Sequence, residues 1–145
     1  MYLVDTNVIS AAAPTRAVSP ALVEWMDMHS ATLFLSAVTV AEIEDGIAKS
    51  RGEGARRKSA DLAAWLETVL QLYGDRVLAF DVAAARIAGA ISDRARGRGQ
   101  APGFADIIIA ATAQHRGLTI LSRDVRHLAP LGVAVVDPFS RLPPS

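Results

Sequence analysis

Met1-Tyr2-Leu3-Val4-Asp5-Thr6-Asn7-Val8-Ile9 opens the chain. An apolar run stops at an aspartate, a Thr-Asn pair follows, and the apolar pattern resumes. A buried strand that delivers a carboxylate at its C-terminal tip, straight into a helix start, has this form. Asp5 is therefore read as the first member of a carboxylate cluster for a divalent metal. Three later acids are then needed in the right places. The competing reading is a helix cap acting through Thr6-Asn7.

The rest of the chain alternates in the same way. Tyr2–Val4 is followed by apolar strands expected at Thr32–Leu35, Val77–Phe80, Leu118–Leu121 and Val133–Val136. Between them lie a short helical piece at Val8–Ala13 stopped by Pro14, a helix opened by Ser19-Pro20 and running to about His29, and a helix over Val38–Lys49 with Val40, Ile43 and Ile47 on one stripe. Ser50–Lys58 is polar and basic, a loop or a frayed helix start. Ser59–Tyr73 is amphipathic and closed by Gly74. Asp81 caps an Ala-rich helix to about Ala95. Gly97–Gly103 is a loop, and Phe104–Arg116 is a helix apolar on nearly every face, ended by Gly117. The strands are continuous apolar runs rather than alternating ones. That predicts an α/β fold, a mostly parallel five-stranded sheet flanked by helices on both faces.

A chain of 145 residues, 51% hydrophobic, is expected to form one domain spanning 1–145 that buries about two-thirds of its unfolded surface. It has no cysteine, which excludes a disulfide scaffold, thiolate metal sites and a Cys nucleophile and fits a cytoplasmic protein. An acid at position 5, with no basic region before an apolar core, is not a signal peptide, and no apolar run approaches the roughly 18 residues that span a membrane. Net charge is zero, but residues 1–48 hold one base (Arg16) against six acids, whereas residues 49–99 hold ten bases against six acids. That split suits a cation site beside a polyanion-binding rim; it also matches ordinary surface scatter.

In open parallel sheets ligands bind beyond the carboxyl ends of the strands. The acids there are Asp5, Asp81, Asp124 and Asp137. Glu42, Glu44 and Asp45 lie in the helix after the second strand, and Asp106 heads the buried helix before the fourth. Asp81 before Val82-Ala-Ala-Ala reads as a plain N-cap and Asp137 before Pro138 as a turn residue. Asp106 is either a first-turn acid favoured by the helix dipole or, because its helix looks buried, an acid in need of a partner such as a metal. Periodicity does not choose among Glu42, Glu44 and Asp45; Glu44 is nearer the buried stripe than Glu42.

Four patches resemble the PIN-domain family, specifically the VapC/FitB-type toxins of bacterial toxin–antitoxin pairs. They are Leu3-Val-Asp5-Thr-Asn7-Val-Ile-Ser10, Leu35–Ile47 around Glu42 and Gly46, Ala105-Asp106 through Ala113, and Leu121-Ser122-Arg123-Asp124 running on to Gly132–Phe139. The resemblance implies a PIN-like three-layer fold and metal-dependent cleavage of RNA by water. It implies a cluster of Asp5, Glu42, Asp106 and Asp124 around one or two Mg²⁺ or Mn²⁺ ions, a cognate antitoxin and a homodimer. The resemblance thus selects Glu42. Many relatives carry Asn where Asp124 stands and an acid three residues later, the position of His127 here.

A hard divalent ion activates water and neutralises phosphoryl charge, and carboxylate oxygens are its natural ligands. Mg²⁺ is usually held by one or two carboxylates and several waters, so Asp5 and Asp106 are expected as direct ligands, with Glu42 and Asp124 binding through water or completing a second site. Without metal at least one of these acids has a raised pKa. Asn7 and Ser122 either orient a carboxylate or water, or serve as turn and cap residues. Among the bases, Arg123 and the run Arg94, Arg96, Arg98 are favoured for RNA phosphates. His115 and His127 read as surface residues. Gly97-Arg-Gly99 does not follow a strand and is discarded as a dinucleotide signal, and there is no P-loop and no nucleophile elbow. Two other readings compete: a non-catalytic RNA-binding module, and a phosphotransfer domain with Asp5 as acceptor. The second lacks an acid at Asn7 and a late lysine, the only lysines being Lys49 and Lys58. Trp25 and Trp65 on amphipathic helices hint at surface left to cover.

Overall fold

The computed structural model describes residues 1–14 and 19–145; Arg16, the one base of the first third, lies outside the described residues. Five strands form one all-parallel sheet: β1 (Tyr2–Val4), β2 (Leu33–Ser36), β3 (Val77–Leu78), β4 (Thr119–Leu121) and β5 (Val135–Val136), in the order β3-β2-β1-β4-β5. β1 is central, and the direction of strand addition reverses beside it. The helices are α1 (Thr6–Ile9), α2 (Pro20–Met28), α3 (Ala37–Gly52), α4 (Arg56–Tyr73), α5 (Val82–Gly97), α6 (Phe104–Arg116) and α7 (Val125–Leu128).

Alternate strand residues feed two cores. Leu3 and Ile120 face a layer built from α5 and α6, with Ala88, Ile91, Ile109 and Ala110. Val4, Leu33, Leu35 and Leu121 face α1 to α4, with Val8, Leu22, Ile43, Ile47 and Leu66. Three layers follow: helices, sheet, helices. Leu3 and Ile120 are wholly buried, and truncating either to alanine costs about 2–5 kcal/mol.

Helix ends obey local chemistry. Ser36 Oγ accepts from Val38 N–H at 3.1 Å and opens α3 directly off β2. Asp81 Oδ1 accepts from Ala84 N–H at 2.9 Å, so the plain N-cap reading holds. Gly117 adopts φ 65°, the left-handed region that glycine enters without a Cβ penalty, and Leu118 N–H returns to Ala113 C=O at 2.9 Å.

Several boundaries depart from the sequence reading. β3 and β5 are shorter than Val77–Phe80 and Val133–Val136, because only two residues of each find a ladder partner. Residues 50–52 and 56–58 are helical, and only 53–55 form the turn between α3 and α4; the polar residues are the exposed faces of helix ends. α7 has no signal in the sequence: its four residues carry too little periodicity. Pro20 begins α2 as expected, but Ser19 makes no side-chain cap bond. Trp25 is not surface: it is buried, edge-on to Tyr2 with centroids 5.7 Å apart, and stacked on His29. Trp65 is half-buried. No helix among the described residues is long and apolar enough to cross a membrane.

Candidate active site

The register of the central strands positions the site. Val4 pairs with Leu121, so the next residues on each strand, Asp5 and Ser122, emerge side by side at the carboxyl edge; Asp5 N–H donates to Leu121 C=O at 2.9 Å. Ser122 Oγ donates to Asp5 Oδ2 at 2.7 Å, a charge-assisted bond inside the fold, since Ser122 is wholly buried and Asp5 is 9% exposed. The same hydroxyl accepts from Asp124 N–H at 2.9 Å and from Asn7 Nδ2 at 3.2 Å. Asn7 Nδ2 also lies 3.4 Å from Asp5 Oδ2, while its Oδ1 accepts from Arg123 N–H at 3.1 Å. That bond fixes which way the amide points. Asp5 Oδ1 caps α1 by accepting from Thr6 N–H at 2.8 Å. The cap reading of Asp5 therefore holds through Oδ1, while Oδ2 takes the Ser122 and Asn7 contacts.

Around this knot opens a cavity of about 600 Å³ lined by Asp5, Glu42, Asp106 and Asp124, with Asn7 and Arg123 on its wall. Neither Glu44 nor Asp45 lines it. Glu42 leaves the side of α3 that faces α1, beside rather than on the core stripe, where burial periodicity carries no signal. Thr6 Oγ1 donates to Glu42 Oε1 at 2.7 Å, and the buried Thr39 hydroxyl lies 3.3 Å from Thr6 Oγ1. The sequence reading places Thr6 only in the cap of α1 and includes neither its contact to Glu42 nor a role for Thr39. The spacing of Thr39 and Glu42, one helical turn apart on α3, is the signal that was available.

Asp106 enters from the first turn of α6. Burial, then the charges of Asp124 and Asp5, push its pKa above the ordinary carboxylate value; His127 opposes this and Glu42 adds to it. The expected raised acid is thus Asp106. His127 Nδ1 is in hydrogen-bond contact with Asp124 Oδ1, so the position three residues after Asp124 reaches the site through its neighbour. Arg123 lines the cavity with its guanidinium over the Phe139 ring, 3.9 Å from the centroid.

The run at the end of α5 is not brought to this cavity. Arg96 pairs with Asp93 at 3.6 Å, and Arg98 Nη1 donates to Pro130 C=O at 3.3 Å. Asp137 is the turn residue expected, accepting from Phe139 N–H at 2.9 Å and Ser140 Oγ at 3.0 Å.

The anionic donors facing the cavity are carboxylate oxygens, with hydroxyl and amide oxygens beside them, a hard set suited to Mg²⁺ or Mn²⁺ rather than to a soft ion. Among the described residues no three Asp, Glu or His side chains already close around one ion position. Three of the four acids are turned toward a neighbour: Asp5 to Ser122, Glu42 to Thr6, Asp124 to His127. An ion that keeps several waters does not need a closed cage.

The PIN domain model matches residues 2–130. The chain is 37% identical over 143 residues to VapC ribonuclease Y4jK of Sinorhizobium fredii, covering 96% of this chain and 98% of the relative. It is 35% identical over 141 residues to Toxin FitB of Neisseria gonorrhoeae, covering 96% and 99%. Among solved structures, FitAcB from Neisseria gonorrhoeae superposes with a TM-score of 0.84 at 36% identity, covering 95% of this chain and 98% of that one.

Proposed function

The chain belongs to the PIN-domain family with VapC/FitB-type toxins, and from that membership we propose that it is a Mg²⁺- or Mn²⁺-dependent endoribonuclease, the toxin of a toxin–antitoxin pair. The observation that carries the catalytic part is the convergence of Asp5, Glu42, Asp106 and Asp124 on one cavity at the carboxyl edge of the sheet. The whole chain, residues 1–145, acts as one domain in this reading.

Asp5 and Asp106 would hold the ion directly. Asp5 is aimed by Ser122 and Asn7; Asp106 carries the charge most in need of a cation. The chemistry such an ion would supply there is positive charge for the phosphoryl oxygens and a more acidic water. Glu42, tethered through one oxygen to Thr6, keeps the other free to accept the proton that the water sheds. Asp124 is anchored through its backbone on Ser122 and completes the acidic wall. Arg123 braces on Phe139 and presents its N–H fork to a non-bridging phosphoryl oxygen. Arg94, Arg96 and Arg98 serve at most as a distant backbone-contact strip.

Two of the relatives are called a ribonuclease and a toxin, which supports RNA as substrate and an antitoxin as the partner that restrains this chain; a homodimer in the cytoplasm completes the proposal. The test is incubation of antitoxin-free protein with total cellular RNA in Mg²⁺, in Mn²⁺ and in EDTA, beside Asp5→Asn. Discrete metal-dependent fragments that disappear in the variant are expected. Cleavage that survives EDTA sinks the mechanism.

A further inference from the structure

A second recess, of about 270 Å³, opens between α3 and α4. It shares Thr6, Ser10 and Glu42 with the acid cavity, so the two are continuous. On the other side, a third recess shares Asp106 and Asp124 and runs past Arg126 and His127. The acid cavity is therefore the middle of a track. A phosphodiester placed there has its flanking nucleotides directed along that track.

The recess between α3 and α4 has the chemistry of a base site. Ile43, Ile47 and Leu62 make apolar walls, Trp65 is half-buried with no aromatic partner among the described residues, and Ser50 offers a polar edge. Lys58 stands at the rim, exposed and without an ion pair among the described residues. Gly46 leaves space in the wall: a Cβ there would meet nothing within 4 Å, and its backbone is ordinary helix. Indole faces bind bases by stacking whatever their identity, and a rim lysine meets the phosphate that follows.

We propose that this recess holds the nucleobase next to the scissile phosphate, stacked against Trp65, with Lys58 on the adjoining phosphate. The inference rests on the nuclease reading above. It assigns Gly46, Lys58 and Trp65 to substrate binding, outside the acid cluster.

The test uses the full chain and a quenched fluorescent oligoribonucleotide carrying a cleavage site mapped from digests of total RNA. Gly46→Leu fills the recess without meeting another atom at Cβ. Gly89→Leu is the control, a helical glycine of α5 whose Cβ would also meet nothing within 4 Å. Gly46→Leu and Trp65→Ala are expected to raise KM about tenfold or more, in keeping with the loss of one base stack. Trp65→Phe, which keeps a ring, retains most of the affinity, and Lys58→Ala raises KM and flattens its salt dependence. Gly89→Leu stays at the wild-type value. Circular dichroism verifies folding, and the exposed Lys58 variant keeps the test open should Gly46→Leu misfold. KM within twofold of wild type for folded Gly46→Leu and for Trp65→Ala overturns the assignment. So does a Gly46→Leu protein that binds RNA normally but loses its antitoxin, which makes the recess a protein-docking site. Absence of metal-dependent cleavage by wild type removes the nuclease reading itself, and this inference with it.

Discussion

Ser122→Ala removes one oxygen from the most connected point of the site. In wild type that hydroxyl gives its proton to Asp5 Oδ2 at 2.7 Å and receives Asp124 N–H and Asn7 Nδ2, so its capacity is filled in a fully buried position. The alanine leaves Asp5 Oδ2 and Asn7 Nδ2 with only their long mutual contact at 3.4 Å and leaves Asp124 N–H without its acceptor. A hydrogen bond to a charged group contributes about 1.5–3 kcal/mol, and Asp124 N–H is near enough to the surface to recruit water, so the net loss is about 2–3 kcal/mol. For a chain of this length that lowers the melting temperature by about 5–10 °C. The functional loss is separate: Asp5 loses its aim, and removing such a supporting contact reduces metal affinity or activity about 10- to 100-fold. Thermal unfolding without metal and RNA cleavage across a Mg²⁺ titration measure the two effects. A variant that is destabilised yet cleaves at the wild-type rate and Mg²⁺ midpoint refutes the positioning role. One that also melts at the wild-type temperature refutes the hydrogen-bond account.

Two further outcomes follow from the geometry. Asp106 has a folded-state pKa above its unfolded value, so its ionisation costs stability at neutral pH, and that loss is recovered as pH falls through the raised value toward the ordinary carboxylate range. Metal-free wild type therefore gains melting temperature on mild acidification, and Asp106→Asn, measured over the same pH series, lacks that component; identical profiles contradict the coupling. Asp81→Ala deletes the cap of α5 and costs about 1 kcal/mol in denaturant unfolding, while RNA cleavage under folded conditions stays at the wild-type rate, because Asp81 does not line the acid cavity.

The legible parts of this chain were those where one residue type has one local use. Gly117 ends α6 in left-handed backbone, Asp81 caps α5, and the apolar runs of β1 and β4 are buried on both faces, so helix and strand identity followed directly from the sequence. Boundaries were harder. Strand length depends on which neighbour offers a ladder partner, and the polar ends of α3 and α4 look like loop because their exposed faces are charged. Within the site, Asp5 and Asp106 were readable from their places at element ends. Glu42 was not, since it serves a cavity beside the core stripe, and the resemblance alone chose it. Asn7 and Ser122 were visible as residue types, but their shared contact on Asp5 depends on the β1–β4 register, which joins positions 115 residues apart.

The central claim is that the four carboxylates take up one kind of ion, and calorimetric titration of the metal-free protein with Mn²⁺ measures this without RNA. Wild type is predicted to bind Mn²⁺, to release protons as it does so, and to melt at a higher temperature once loaded. Asp5→Asn and Asp106→Asn lose the binding and the thermal gain, and Glu42→Gln and Asp124→Asn weaken both. Mn²⁺ binding of equal affinity in wild type, Asp5→Asn and Asp106→Asn would contradict the account.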